Sequence, residues 1–145
     1  MKEYFAKLKY LFKWRDLAFT LLLFTLILTV AFCKAEDMIK VTFGEEALDV
    51  VTNRYSMNIP YDMIESVEIG NVDKDDEIIQ GKGDIALRTG HCLNENWGEY
   101  YGILDLQTDK CVVIYLDDGR VFVFSHMSDE KVTEDFNTLM SHLDQ

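Results

Sequence analysis

The chain is poor in the residues that separate domains. It has one proline in 145 residues, and no Pro-rich or Ser-rich stretch and no internal repeat interrupts it. Flexible or extended linkers usually have such compositions. The roughly 110 residues after position 33 are enough for a single domain with its own core. The sequence therefore predicts one domain there.

The sequence also lacks the motifs of common catalytic and metal sites. Its three cysteines and three histidines show no C-x-x-C or H-x-x-x-H spacing, so they do not form a usual zinc pattern. G-x-S-x-G, P-loop and dinucleotide fingerprints are missing too. The acidic run from Asp73 imitates a calcium loop, but Ile78 and Asp84 stand where glycine and glutamate are needed. We expect no metal, no cofactor and no enzymatic activity.

Basic residues are scarce after position 33, where nine of them accompany 24 acidic residues, for a net charge of −15. A surface of that sign repels phosphate groups. We therefore expect no nucleic-acid binding, and the charge disfavours phosphoinositide binding. Residues 1–16 are the exception, with a net charge of +3.

Between these two regions lies an almost wholly apolar run, residues 17–33. As a helix it would rise about 25 Å, slightly less than a hydrocarbon core of roughly 30 Å. The pattern predicts a basic N-terminal segment (1–16), a single-pass transmembrane signal anchor (17–33) and a domain (34–145). A cleaved signal peptide is the second interpretation, although the apolar run is long for one and the cleavage site is poor.

The charges around the apolar run predict which side of the cell membrane the domain faces. Five basic residues precede the run, whereas Lys34 and Lys40 follow it. The positive-inside rule then favours a cytoplasmic N-terminus and an extracytoplasmic domain. The cysteines favour the opposite side. Cys92 and Cys111 are predicted to lie too far apart for a disulfide, and free thiols are typical of a reducing compartment.

Most of the domain has the pattern of short strands. Residues 71–83 are predicted to be a charged loop, and the last three strands an antiparallel meander that turns at Asp118-Gly119. Ser128 is predicted to cap a helix with one apolar stripe. The predicted class is mainly β (α+β), a bent antiparallel sheet or partly open barrel with the helix capping one end. The predicted strands are 41–43, 47–51, 54–59, 66–69, 84–90, 99–106, 111–116 and 121–125.

The segment NIPYDMIESVEIG resembles bacterial pleckstrin-homology-like domains. Its pattern I-x-Y-x-x-I-x-x-V is carried by Ile59, Tyr61, Ile64 and Val67. The later stretches WGEYYG and GRVFVFS, followed by the Ser-capped helix, are similar to small membrane-anchored members of that group. The resemblance covers residues 38–144 and implies a pleckstrin-homology-like fold. Some of those members are linked to bacteriocin immunity, so it also implies a possible role as an immunity protein.

The sequence departs from the lipid-binding members of the wider superfamily. Those place several Lys and Arg residues around the first strand pair. Here that region reads VTFGEEALDVVTNRY, with Glu45, Glu46 and Asp49 but only Arg54 as a basic residue. A protein or peptide partner is therefore favoured over a lipid head group.

Two sets of residues are candidate sites. Trp97, Tyr100 and Tyr101 form an aromatic cluster that could contact a partner. The alternative, which is favoured for Trp97, is that its side chain folds back over one end of the barrel. Cys111 would face His126 if Asp118-Gly119 made a two-residue turn, and a histidine can activate a thiol. A three-residue loop would separate that pair by shifting the register.

These patterns lead to three functional interpretations. The main one is a membrane-anchored, noncatalytic module that binds a protein or peptide near the membrane, along a strand edge or through the Trp97 loop. The alternatives are a thiol-dependent enzyme or redox sensor and a structural subunit of a membrane complex.

Overall fold

The structure is a computed structural model that describes residues 18–27, 39–83 and 86–144. The chain divides into two compact units, residues 1–37 and 38–145. In the first unit residues 18–27 are helical, and we call this helix α1. The predicted basic segment and both ends of the predicted anchor lie outside the described residues. Within the described ranges, no helix combines the length and the apolar character that crossing a membrane requires.

The second unit begins with a small antiparallel sheet of three strands. Its central strand β2 pairs with both neighbours. Successive side chains of a strand point to opposite faces, so Leu48 and Val50 are buried while their neighbours are not. The predictions of strands at 41–43 and 47–51 are confirmed. The strands are β1 (Lys40–Phe43), β2 (Ala47–Val51) and β3 (Ser56–Pro60).

A turn of 3₁₀ helix, Tyr61–Met63, leads into a second sheet of six strands. Their spatial order is β4-β8-β9-β7-β6-β5, so that β4 and β5 are the two edges. The prediction of a mainly β fold with a C-terminal helix is confirmed, whereas the six-stranded sheet is not a closed barrel. The strands are β4 (Ile64–Asn71), β5 (Glu77–Gly83), β6 (Leu87–Asn94), β7 (Gly98–Asp105), β8 (Lys110–Leu116) and β9 (Val121–Phe124).

The predicted loop over residues 71–83 is wrong in its second half, which forms β5. All seven residues of β5 are exposed, so the strand lacks the alternation of apolar residues that reveals a half-buried strand. Its two glycines are also typical of a break in a strand. Gly81 has φ +155°, and a Cβ there would lie 2.1 Å from the oxygen of Thr89. Glycine is therefore needed at this position for the close approach of β5 and β6.

The predicted meander is wrong in its strand order, because β9 lies between β8 and β7. It pairs antiparallel with β8 and parallel with β7. The buried Ser125, which follows β9, holds this arrangement. Its N–H donates to the oxygen of Ile103 at 3.0 Å, and its Oγ accepts from the N–H of Asp105 at 2.7 Å. A turn pattern specifies the hairpin of β8 and β9 but not the third strand that joins it.

Apolar side chains on the two faces of the six-stranded sheet form two separate clusters. The first cluster contains Val112 and Phe124 together with residues of the three-stranded sheet and of the C-terminal helix α2 (Asp129–Leu143). Ser128 caps the start of α2, as predicted, and its Oγ accepts from the N–H of Lys131 at 3.2 Å. The alternate residues of the same strands, including Cys111 and Val123, face the second cluster.

The six-stranded sheet curls around the second cluster. Five residues, 72–76, connect the edge strands β4 and β5, which would lie about 24 Å apart in a flat sheet of that order. Gly70 in edge strand β4 lies against Trp97 near the start of β7, since a Cβ on Gly70 would be 2.6 Å from the Trp97 ring. The connection 72–76 therefore passes close to the second cluster.

Candidate functional site

The free edge of β5 and the acidic surface at its start form the candidate site. The surface is an open recess of about 380 Å³, which we call the acidic recess. It lies where the connection from β4 enters β5, beside the turn between β6 and β7. Among the described residues, no basic side chain lines it. Its lining residues are Asp73, Asp75, Asp76, Glu77, Leu93, Asn94 and Glu95.

A buried polar network holds the wall of the recess in place. The side chain of Asp76 is only 2% exposed, and its Oδ2 lies 3.4 Å from Nη1 of Arg88, which is also buried. Tyr100 donates its hydroxyl to the same oxygen at 2.6 Å, and Asn94 donates its side-chain amide to Oδ1 at 2.6 Å. A buried carboxylate is tolerable when it is paired and hydrogen-bonded in this way.

Arg88 extends this network to the backbone of the connection. Its guanidinium donates to the oxygen of Asp73 at 2.7 Å and to that of Lys74 at 2.5 Å. Arginine suits this role because its planar fork offers several donors in a rigid arrangement. Burial and the hydrogen bond to Asp76 raise the pKa of Tyr100, so its hydroxyl stays protonated as the donor. Arg88, Asp76 and Tyr100 therefore fasten residues 73–76 to β6 and β7.

The other carboxylates of the recess are not neutralised in the same way. In the described part of the chain, no lysine or arginine forms an ion pair with Asp73, Asp75, Glu77 or Glu95. Asp73 uses one oxygen to accept from the N–H of Asp75 at 2.9 Å. The recess therefore has excess negative charge on a wall that a buried network keeps in position.

The edge of β5 adds backbone and apolar groups to this charge. Among the described strands, β5 pairs only with β6, which leaves the polar groups along its other side without a strand partner. The pairing shifts between Ile78 and Gln80, as at a β-bulge. Ile78 and Ile79 are 37% and 48% exposed. This edge can therefore offer hydrogen bonds and apolar contact together.

The aromatic residues predicted as a partner surface are split between two environments. Tyr100 is fully buried in the second cluster, so it belongs to the network and cannot contact a partner. Trp97 is half-buried, and its ring meets the edge of the Tyr100 ring at a centroid distance of 5.7 Å. Tyr101 lies on the opposite face, stacked on His91 at 4.8 Å. Trp97 folds back over the sheet, in line with the alternative interpretation of this residue.

Cys111 and His126 are not paired, and the predicted register is wrong by one residue. The turn is a three-residue loop, in which the N–H of Leu116 donates to the oxygen of Arg120 at 2.9 Å. Phe124 consequently pairs with Val112 instead of Val113. His126 contacts Asp135 of α2 instead, with Nδ1 and Oδ2 3.2 Å apart.

The thiols are in environments that disfavour the thiolate. Cys92 and Cys111 are both buried free thiols, and no disulfide joins them. Burial raises the pKa of both thiols, and that of Cys111 to about 12. A nucleophilic or redox-sensing cysteine needs a lowered pKa and access, so this arrangement does not support the thiol hypothesis.

No group of three or more His, Cys, Asp or Glu side chains within residues 18–27, 39–83 and 86–144 is placed to hold a metal ion. Comparison with protein-family models, with curated proteins and with solved structures finds no match for this chain. The candidate site therefore depends on its own geometry.

Sequence reasoning missed both the edge strand and the network behind it. The acidic run 71–77 reads as uniformly solvated, yet Asp76 is buried while its neighbour Asp75 is exposed. The one usable signal was Arg88 directly after the apolar residues 85–87 in a predicted strand, because an arginine buried in a sheet requires an acidic partner. The sequence did not indicate which of the nearby acids that partner would be.

Proposed function

We propose that this protein is a noncatalytic interaction module, tethered to the cell membrane by residues 17–33, that binds an extended segment of a protein partner along the outer edge of β5. The observation that carries the proposal is that edge. Its seven residues are exposed, its outer side has no partner among the described strands, and it begins at a recess held by a buried network. Addition of a strand to such an edge is a recurring mode of peptide recognition.

The edge of β5 is a better candidate than the other surfaces. The Trp97 side chain is occupied by packing on Gly70, so it has less surface to offer than an exposed loop residue. β4 is the other edge of the sheet, and it exposes Ile69, but the acidic recess does not adjoin it. β5 combines an open edge, two exposed isoleucines and a charged recess.

The proposal includes the pleckstrin-homology-like architecture that the sequence pattern implies. Two sheets and a C-terminal helix that packs on their shared cluster support it. The parallel pairing of β7 and β9 departs from the antiparallel order expected for the last strands. The membrane tether and the extracytoplasmic side are proposed from the apolar run and the charges of the sequence alone.

Site-specific photo-crosslinking in intact cells tests the proposal. A photoreactive amino acid at Ile79 of the full chain should form adducts of defined mass with a partner. The matched control is the same amino acid at Asp62, which is exposed beside the other sheet and should form none of these adducts. No adduct from Ile79, or the same adducts from both positions, would contradict the proposed function.

A further inference from the structure

We propose that the segment that pairs with β5 is basic, with lysine or arginine residues next to its strand-forming part. This inference rests on the proposed function and names the chemistry of its partner. The partner would contribute main-chain hydrogen bonds to the edge of β5, apolar contact to its isoleucines and positive charge to the acidic recess.

Charge complementarity is the first argument. Asp75, Glu77 and Glu95 lie at the start of β5 without a basic partner among the described residues, whereas the charge of Asp76 is already balanced by Arg88. The domain as a whole has nine basic and 24 acidic residues. A field of this sign attracts a basic segment and increases its rate of association.

The shape of the recess suits long basic side chains. Leu93 lines it and is 41% exposed, so an apolar surface lies beside the carboxylates. Lysine and arginine place their methylene stems on such a surface while their charged ends reach acidic groups. A compact anion or an acidic side chain would find no lysine or arginine to pair with among the lining residues.

The charges along β5 orient the partner. Glu77 begins the strand at the recess, and Lys82 lies near its other end. Lysine on an edge strand also discourages pairing with a second positively charged strand at that position. The basic residues of the partner therefore belong at the Glu77 end, with the neutral part of the segment beside Gln80 and Lys82.

A second copy of this chain is the main competing occupant of the edge. Two copies would bring two strongly acidic domains together, so added salt would strengthen their association by screening the repulsion. A basic segment would instead bind more weakly as salt increases. Salt dependence thus separates the two occupants without a structure of either complex.

Fluorescence anisotropy of synthetic peptides, with the full chain in a neutral detergent, tests the inference. The basic probe is Thr-Val-Thr-Val-Thr-Val-Lys-Arg-Lys. One control replaces its last three residues by Glu-Asp-Glu, and another keeps all side chains but carries N-methyl groups at alternate backbone nitrogens. We expect the basic probe to bind at least about tenfold more tightly than either control, since these lack charge attraction or strand hydrogen bonds.

Variants of the protein identify the part of the surface that is used. Surface charge pairs contribute about 0.2–1 kcal/mol each, so D75N/E77Q/E95Q should weaken binding of the basic probe by about three- to 150-fold. The matched control E45Q/E46Q/D62N removes as many charges at exposed positions beside the other sheet and should change affinity less than about twofold. Circular dichroism checks that both variants fold.

Several results would overturn the inference. The inference fails if the acidic or the N-methylated peptide binds as tightly as the basic probe, or if the two triple variants weaken binding equally. It also fails if the basic probe binds more tightly as salt rises from about 0.05 to about 0.5 M, over which the screening length falls about threefold. If Ile79 forms partner adducts in cells but the basic probe does not bind, the basic-partner inference fails and the proposed function stands. If Ile79 forms no adducts, the proposed function itself fails.

Discussion

The hydroxyl of Tyr100 offers the most direct measurement of how firmly the recess wall is held. It donates to Asp76 Oδ2 at 2.6 Å, and the tyrosine is fully buried. Tyr100→Phe keeps the ring and its packing and removes only this bond. A hydrogen bond to a charged group contributes about 1.5–3 kcal/mol. Because Asn94 and Arg88 still satisfy the carboxylate, we expect a loss of about 2 kcal/mol in the free energy of unfolding.

Asp76→Asn should cost more, because it removes the negative partner of a buried arginine. Loss of one member of a buried ion pair costs about 3–5 kcal/mol. Arg88 keeps its bonds to two backbone oxygens, so we expect about 3 kcal/mol. Tyr100 and Asp76 act on the same bond, so the double variant should lose at least about 1 kcal/mol less than the sum of the single losses.

Urea denaturation of the full chain in a neutral detergent, followed by near-ultraviolet circular dichroism, measures these values. Tyr115→Phe is the matched control, since its hydroxyl donates to Glu68 at 2.7 Å in an exposed position. Water can replace that bond, so we expect a loss of about 0.5 kcal/mol. If Tyr100→Phe costs no more than Tyr115→Phe, or if the two network variants are additive, then the network does not hold the recess as we describe.

Three further outcomes follow from the described geometry. Gly90→Ala should lower the free energy of unfolding by about 3 kcal/mol or more, because φ is +121° and the new Cβ would lie 2.3 Å from a backbone oxygen of β5. Gly98→Ala is the control, since its φ is +72° but the space around it is open, and it should lose about 1 kcal/mol in the same denaturation assay. Equal losses would contradict the close approach of β5 and β6 at Gly90. Burial raises the pKa of Cys111 from 9.0 to about 12, so the folded state favours the protonated thiol, and its contribution to stability is complete below about pH 9 and declines as pH rises towards about 12. Reaction of Cys111 with an aromatic disulfide reagent should stay slow up to pH ~9 until urea unfolds the chain, with no change in His126→Gln, and fast reaction of the folded protein would show that the thiol is accessible. A single reporter thiol can test which side of the membrane the domain faces. In a background where serine replaces the cysteine of the predicted anchor and the two buried thiols do not react, Glu130→Cys places that thiol on the exposed first turn of α2. A membrane-impermeant maleimide should label it in intact cells, whereas labelling only after lysis would place the domain in the cytoplasm.

Local sequence patterns were sufficient where a single element carries its own signal. The apolar alternation of Leu48 and Val50 identified β2, and Ser128 with the stripe after it identified α2. These predictions succeed because capping and amphipathic periodicity act within a few residues along the chain. The predicted turn at Gly119 was also correct in place, but not in length, and one residue of loop length changed the register of the whole hairpin.

The candidate site could not be predicted in the same way, because its parts are distant in sequence. Asp76 contacts Tyr100, 24 positions away, and Asn94, 18 positions away. Asp75 and Asp76 have the same chemistry and adjacent places in an acidic run. Only the path of the connection across the curled sheet decides which of them is buried against Arg88.

The sequence by itself determined the strongly acidic domain, the apolar run before it, most of the strands and the terminal helix, since composition and short-range periodicity specify these features. Only the tertiary structure decided that β9 separates β8 from β7, that β5 is a free edge, and that Asp76 is buried while its neighbours are exposed. Strand order and burial depend on pairings between distant residues, and the same local pattern is compatible with many such pairings.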